Sequence, residues 1–271
     1  MNDFDADLLE VRELSKSYRR GGGAFARDTA GSQFFAVNKV SFVVCRGETF
    51  AVVGESGCGK TTLARMLLRL IDADSGEIEY EGRDLMQLKG AALRAERRKM
   101  QMIFQDPFAS LDPRMRVGEI VGEPLAIHEP KLSAAERRER SAAILSRVGL
   151  SGDALRRYPH EFSGGQRQRI GIARALILRP KLIVADEPVS ALDVSVGAQV
   201  LLLLQELQSE FGLTYIFISH SLPVVAQLAT RIAVMRAGSF VEMGEAEQVL
   251  HQPAHEYTRE LLSAVPALPG K

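Results

Sequence analysis

The run Thr49-Phe50-Ala51-Val52-Val53 passes directly into Gly54-Glu55-Ser56-Gly57-Cys58-Gly59-Lys60-Thr61, and the helical apolar spacing of Leu63 to Ile71 follows at once. Five residues without polar alternation fit a strand covered on both faces, as in a parallel sheet. The spacing G-x-x-x-x-G-K-T between such a strand and a helix is restrictive. Its glycines let the backbone curl until successive N–H groups point inward, and the positive end of the following helix adds to the field, so the loop suits phosphate oxygens. Lys60 is placed to bridge the outer phosphates of a nucleoside triphosphate, and Thr61 to ligate Mg²⁺. The candidate phosphate-binding set is Gly54, Glu55, Ser56, Gly57, Cys58, Gly59, Lys60, Thr61 and the adjoining Thr62. A glycine-rich turn with an incidental lysine is the plain alternative, and the strand-to-helix context argues against it.

Cys58 lies beside Lys60 and a helix start, a setting that favours thiolate, although the motif leaves its side chain free and space filling is the simpler role. Cys45 is the only other cysteine, too few for a disulfide framework or a cysteine-rich metal site. Lys plus Arg equals Asp plus Glu at 34 each. No net field therefore draws the chain to nucleic acid or an anionic membrane surface, and no nucleic-acid partner is expected. Met1 to Glu10 lacks the features of a secretory signal. The densest apolar run, Val200 to Leu204, is far too short for a membrane span. The cytoplasm is the expected compartment; if the chain serves a membrane, other chains must cross it.

Strand signals cover Leu8 to Leu14 and Phe34 to Val44, with a glycine-rich loop from Gly21 to Ser32 between them. From Pro107 to Pro159 helix signals take over: Val117 to Ile127, then Ser133 as N-cap with Glu136 three residues on. This stretch reads as an inserted helical subdomain. Alternation then resumes, with buried strands at Leu182 to Ala185, Thr214 to Ile218 and Ile232 to Met235, a helix at Val196 to Phe211, and a helical tail from Glu245 ending in a Pro-rich stub. The implied fold is α/β with a mainly parallel sheet.

Asp186 and Glu187 follow the apolar strand Leu182 to Ala185, at the sheet end where α/β proteins hold ligands. A hard cation bridging phosphates needs few protein oxygens, so Asp186 suits the Mg²⁺ shell, partly through water. Glu187 suits the general base that polarises an attacking water. Alone, the pair would read as ordinary solvated acids at a strand end; with the phosphate loop it reads as catalytic.

Phe162-Ser163-Gly164-Gly165-Gln166-Arg167-Gln168-Arg169 supplies a second anion-seeking feature, because Ser163 can cap a helix opening at two glycines. This segment resembles the signature motif of ATP-binding cassette (ABC) proteins, and nearly the whole chain is similar to that family in motif order. The resemblance implies a P-loop NTPase (RecA-like) core with an antiparallel β subdomain and an inserted α-helical subdomain over about 107–164, all within residues 1–245, followed by a tail at 246–271. It implies ATP and Mg²⁺ as ligands and ATPase activity. It assigns Ser163, Gly164, Gly165 and Gln166 to the ATP of a partner chain, Tyr18 to adenine stacking, Gln105 to sensing Mg²⁺ and the nucleophilic water, Ser190 to Asp193 to the loop crossing the dimer interface, and His220 to the γ-phosphate. Two positions depart from the family pattern: Phe162 stands where Leu is usual, and Ser221 stands where an acid usually follows the histidine.

Phe104 to Arg114, Val117 to Val121 with Pro124-Leu125, and His251 to Thr258 with Leu261-Leu262 are similar to ATPase subunits of peptide and nickel importers, as is the insert Arg20 to Phe35. That likeness implies a second ATPase chain, a paralogue in preference to another copy, two transmembrane permeases, an extracytoplasmic solute-binding protein acting indirectly, and a place on the cytoplasmic face of the inner membrane. Peptides, nickel chelates, glutathione and opines are all compatible cargoes. The C-terminal cysteines that hold an iron–sulfur cluster in some members have no counterpart, so none is expected. His251 and His255 have the spacing of one helix face, but Pro253 between them argues against a metal pair. A soluble ABC protein of translation or DNA maintenance is the rival class, disfavoured because such chains usually carry two cassettes or a long coiled coil. A P-loop kinase or GTPase would leave the Ser163 segment and His220 without a task.

Overall fold

The computed structural model describes residues 7–19, 33–106 and 108–264 of the 271. The loop expected over 21–32, Pro107 and the Pro-rich stub lie outside these. The chain forms two compact units, one from 1–88 with 218–271 and one from 89–217.

The first unit opens with β1 (Asp7–Arg19) antiparallel to β2 (Gln33–Cys45), paired from Glu10↔Val43 to Tyr18↔Phe34 with shifts of register between Val11 and Ser17. Both strands outrun the sequence expectation, because irregularities in the pairing let them bend while staying bonded. Glu13 and Lys39 there take a left-handed φ of 48°. β3 (Thr49–Val53) is buried at every residue. α1 (Lys60–Leu67) starts at the lysine itself and ends short of Ile71. Arg69 turns to φ 52° there, while the Leu70 N–H reaches back to Arg65 O at 2.8 Å. Such a left-handed residue closes off a helix end. β4 (Ser75–Tyr80) and the two-residue β5 (Arg83–Asp84) complete an antiparallel sheet in the order β2-β1-β4-β5.

The second unit contains α2 (Gly90–Arg97), β6 (Met100–Ile103), α3 (Val117–His128), α4 (Ala134–Arg147), α5 (Gly164–Leu176), β7 (Leu182–Asp186) and α6 (Val194–Phe211). Ser133 caps α4 as expected from a reciprocal serine–glutamate box. Its hydroxyl accepts from the Glu136 N–H at 3.2 Å, and the Glu136 carboxylate accepts from the Ser133 N–H at 2.8 Å. β6 and β7 pair in parallel from Met100↔Leu182 to Ile103↔Ala185.

β8 (Thr214–Ser219), buried throughout, returns the chain to the first unit. After the short α7 (Leu222–Val225), β9 (Arg231–Arg236) runs parallel to β3 and antiparallel to β10 (Ser239–Glu245). The Phe42 and Phe50 rings stack at 4.9 Å, with Phe240 against Phe42 at 5.6 Å. Offset and tilted rings at these separations attract, which seals β2 onto this layer. The tail is not one helix: α8 (Ala246–His251) and α9 (Glu256–Ser263) are separated at Pro253, where a continuing helix would lose a hydrogen bond. His251 ends the first and His255 caps the second, so the two share no helix face. The fold is α/β as expected, with parallel strand pairs, an antiparallel sheet and a helical stretch between β6 and β7. Among the described residues, no helix is long and apolar enough to cross a membrane.

Candidate nucleotide site

In the first unit, the loop from Gly54 to Lys60 is shaped by backbone that only glycine tolerates. Gly54 and Gly59 take φ of 155° and 115°. A Cβ would stand 2.2 Å from Met235 O at the first and 1.9 Å from Ala36 O at the second. The buried Lys60 Nζ donates to Gly54 O at 2.7 Å and Glu55 O at 2.8 Å, so its ammonium lies inside the curl. The Gly238 N–H, in the β9–β10 turn, donates to Cys58 O at 2.9 Å. From the tail, the Tyr257 hydroxyl accepts from the Glu55 N–H at 3.3 Å. Burial pushes the Cys58 thiol up, against the pull of Lys60, which opposes a thiolate and agrees with the simpler space-filling role.

Tyr18 lies near the end of β1, 40% exposed, with Phe34 opposite at 6.1 Å between ring centres and the Lys16 ammonium 5.8 Å from its ring. An exposed aromatic face of this kind is free to stack a base. His220 is exposed directly after β8. Where the family pattern has an acid, Ser221 donates its N–H to the Ser219 hydroxyl at 2.9 Å, closing the turn without a charge.

In the second unit, Asp186 ends β7 at 2% exposure, so its carboxylate is fixed by the burial of the whole strand. Glu187 adopts φ 47°. This left-handed conformation is rare for a non-glycine residue. It is stapled by the Ser190 N–H and hydroxyl, which donate to Glu187 O at 3.2 and 3.0 Å. That turn aims the side chain, and Gln105 Nε2 donates to Glu187 Oε2 at 3.1 Å. The structure thus brings the expected water-sensing and base residues together. For Mg²⁺, the expected donors are the Thr61 hydroxyl, the Asp186 carboxylate and the Gln105 amide oxygen. All are hard oxygens, and a carboxylate as deeply set as that of Asp186 matches the small, few-ligand shell that Mg²⁺ takes from protein.

Ser163 caps α5 in the same reciprocal way as Ser133 caps α4. Its hydroxyl accepts from the Gln166 N–H at 3.4 Å, and Gln166 Oε1 accepts from the Ser163 N–H at 3.0 Å. Ser163 and Gln166 are exposed. Asp193 is exposed at the start of α6, and next to it Val194 is 91% exposed, an apolar side chain in the loop expected to cross a dimer interface.

The family model described as ABC transporter matches residues 37–190, and that described as oligopeptide/dipeptide transporter, C-terminal region, matches 241–271. The chain belongs to the ABC transporter family. It is 56% identical to the oligopeptide transport ATP-binding protein OppF of Escherichia coli, over 96% of this chain and 78% of that protein. It is 52% identical to the glutathione import ATP-binding protein GsiA of Pectobacterium atrosepticum, over 96% of this chain but 41% of that longer protein. Among solved structures it resembles the dimeric post-hydrolysis state of the ATP-binding cassette MJ0796 bound to ADP and Pi, with a TM-score of 0.77 at 28% identity, over 88% of this chain and 99% of that one.

Several contacts of this ABC family member have no counterpart in its motifs. A Cβ at Gly165 would lie 2.3 Å from Val196 Cγ1, so the second signature glycine lets α5 approach α6. The Arg167 guanidinium lies 4.0 Å from the Phe108 ring. Two turns further along α5, Arg174 donates to Ser110 O and sits 5.7 Å from the Phe104 ring. Each guanidinium is within reach of the electron-rich ring face. The helix α5 thereby holds Phe104, Phe108 and Ser110, on either side of Gln105. Spacing of two arginines by seven on one helix was the available signal. Phe162 is 5% exposed with Arg157 4.2 Å from its ring, so packing absorbs the exchange for Leu.

Proposed function

We propose that this chain is the ATP-binding and hydrolysing subunit of an ABC importer that energises uptake of peptides or a related small solute, working at the cytoplasmic face of the inner membrane. The observation that carries the hydrolytic part is the Gln105–Glu187 hydrogen bond, which holds a base and a water-positioning amide as one unit. The importer group is supported by the C-terminal match over 241–271.

In this reading residues 1–245 are the ATPase domain and 246–271 a tail. Lys60 and the loop amides of 54–62 bind the triphosphate, and Tyr18 stacks the adenine. Thr61, Gln105 and Asp186, partly through water, would hold Mg²⁺, which would supply neutralisation of phosphate charge. Glu187 accepts the proton of the attacking water, oriented by Gln105, while His220 donates to the γ-phosphate. Ser163 to Gln166 serve the nucleotide of a second ATPase chain, and Asp193 lies in the loop between the two. A paralogue is the proposed partner, with two permeases and, indirectly, an extracytoplasmic solute-binding protein.

The test is to purify Glu187→Gln with MgATP, alone and with candidate partner ATPases. ATP-dependent dimers without turnover support the reading; a monomer that hydrolyses at the parent rate overturns it. Glutathione is the second cargo reading, favoured by the 52% identity to a glutathione import protein. Screening the cognate solute-binding protein against peptides and glutathione separates the two.

A further inference from the structure

Tyr257 is only 3% exposed, although it stands in the first turn of a short helix close to the end of the described chain. The segment around it is fixed by directional contacts. Glu242 on β10 accepts from the Ala254 and His255 N–H groups at 2.7 and 3.0 Å. Burial alone would raise this carboxyl, but the donors around it outweigh that and hold it below the usual range. His255 Nδ1 accepts from the Tyr257 N–H at 3.1 Å, and Arg259 donates to Pro253 O and Ala254 O at 3.3 and 2.7 Å. The Arg236 guanidinium lies 4.6 Å from the centre of the Tyr257 ring.

A segment so held delivers one polar atom to the phosphate loop. The Tyr257 hydroxyl takes the Glu55 N–H, while the carbonyl of the same residue takes the Lys60 ammonium. A triphosphate and the carbonyls of Gly54 and Glu55 compete for that ammonium. The Glu55 backbone is thus held at its N–H by Tyr257 and at its carbonyl by Lys60, and only the second of these ties is open to competition from phosphate.

We infer that Tyr257 is a positioning residue for nucleotide binding, its hydroxyl holding the Glu55 peptide in the loop shape that receives the triphosphate. The inference rests on the reading of residues 54–61 as the nucleotide loop. In the full-length chain, Tyr257→Phe keeps the ring and removes the oxygen. KM for ATP and Kd for a fluorescent ATP analogue should rise about three- to tenfold, as for loss of one hydrogen bond, with kcat at saturating ATP within about twofold and the melting temperature without nucleotide unchanged. Parent-like KM and Kd would overturn the inference. So would a fall in kcat together with a lowered melting temperature, the mark of a structural role. Lys60→Ala separates the two levels: if it binds ATP as the parent does, the loop reading itself fails; if it loses ATP while Tyr257→Phe keeps full affinity, only the role of Tyr257 is lost.

Discussion

Gln105 donates its amide hydrogen to the Glu187 carboxylate at 3.1 Å, tying a residue that follows β6 to one that follows β7. Since β6 and β7 are paired in parallel, their C-terminal ends are neighbours, and the contact follows from register. The residues beside Gln105 are in turn held to α5 through Arg167 and Arg174, so α5 and Glu187 are joined by a short chain of contacts.

Glu187→Gln should keep ATP affinity and lose turnover by about 10²- to 10⁴-fold, the usual worth of a general base. Phosphate release at saturating ATP, beside analogue binding, checks it. Gln105→Ala should lower kcat by less, because the base remains and only its aim is lost.

Gly165→Ala should destabilise the chain by about 1–3 kcal/mol, the usual cost of overpacking. The new methyl meets Val196, whose β-branched side chain has little room to turn aside. Denaturant unfolding of the single variant and of Gly165→Ala with Val196→Ala checks it. The second substitution should recover most of the loss; additive damage would refute the contact.

Alkylation of Cys58 should block nucleotide binding and should be slow. Burial raises its thiol, so the reactive thiolate is scarcer near neutral pH than for a free cysteine and grows as pH rises. Mass spectrometry of iodoacetamide labelling across pH, with and without MgATP, checks the rate and the protection.

Asp74 joins the approach to β4 to β1. It accepts from the Lys16 ammonium at 2.7 Å and from the Ser17 N–H and hydroxyl at 2.8 and 2.7 Å. These bonds, Lys16 first, lower its carboxyl from 3.8 to about 2. A lowered carboxyl stabilises the folded state above its unfolded value and loses that contribution as pH falls from about 4 to about 2. The group is partly solvated, so the effect is less than about 1 kcal/mol and shrinks in salt. Asp74→Asn should be less stable than the parent at neutral pH, with the difference closing near the lowered carboxyl value; chemical unfolding at several pH values measures it.

The phosphate loop, the acids after β7 and the cap at Ser163 were legible because each is local: strand, glycines and helix are contiguous, and S-x-x-Q lies within one turn. The contacts that bind these pieces together were not. Gly165 meets Val196 on another helix, and Tyr257 meets Glu55 across 202 positions of sequence; nothing in local periodicity encodes such meetings. The early end of α1 escaped for a different reason, since Leu70 and Ile71 continue the apolar pattern while Arg69 leaves the helical backbone. In the tail, Pro253 was visible and its consequence for His251 and His255 followed.

The left-handed backbone at Glu187 carries a lasting tension between endurance and work. A side chain there costs about 1–2 kcal/mol relative to a conformation without Cβ strain. Glycine would rest at that position more comfortably and perform no chemistry. Under the proposed base role, Glu187 is a site where backbone comfort is given up for turnover.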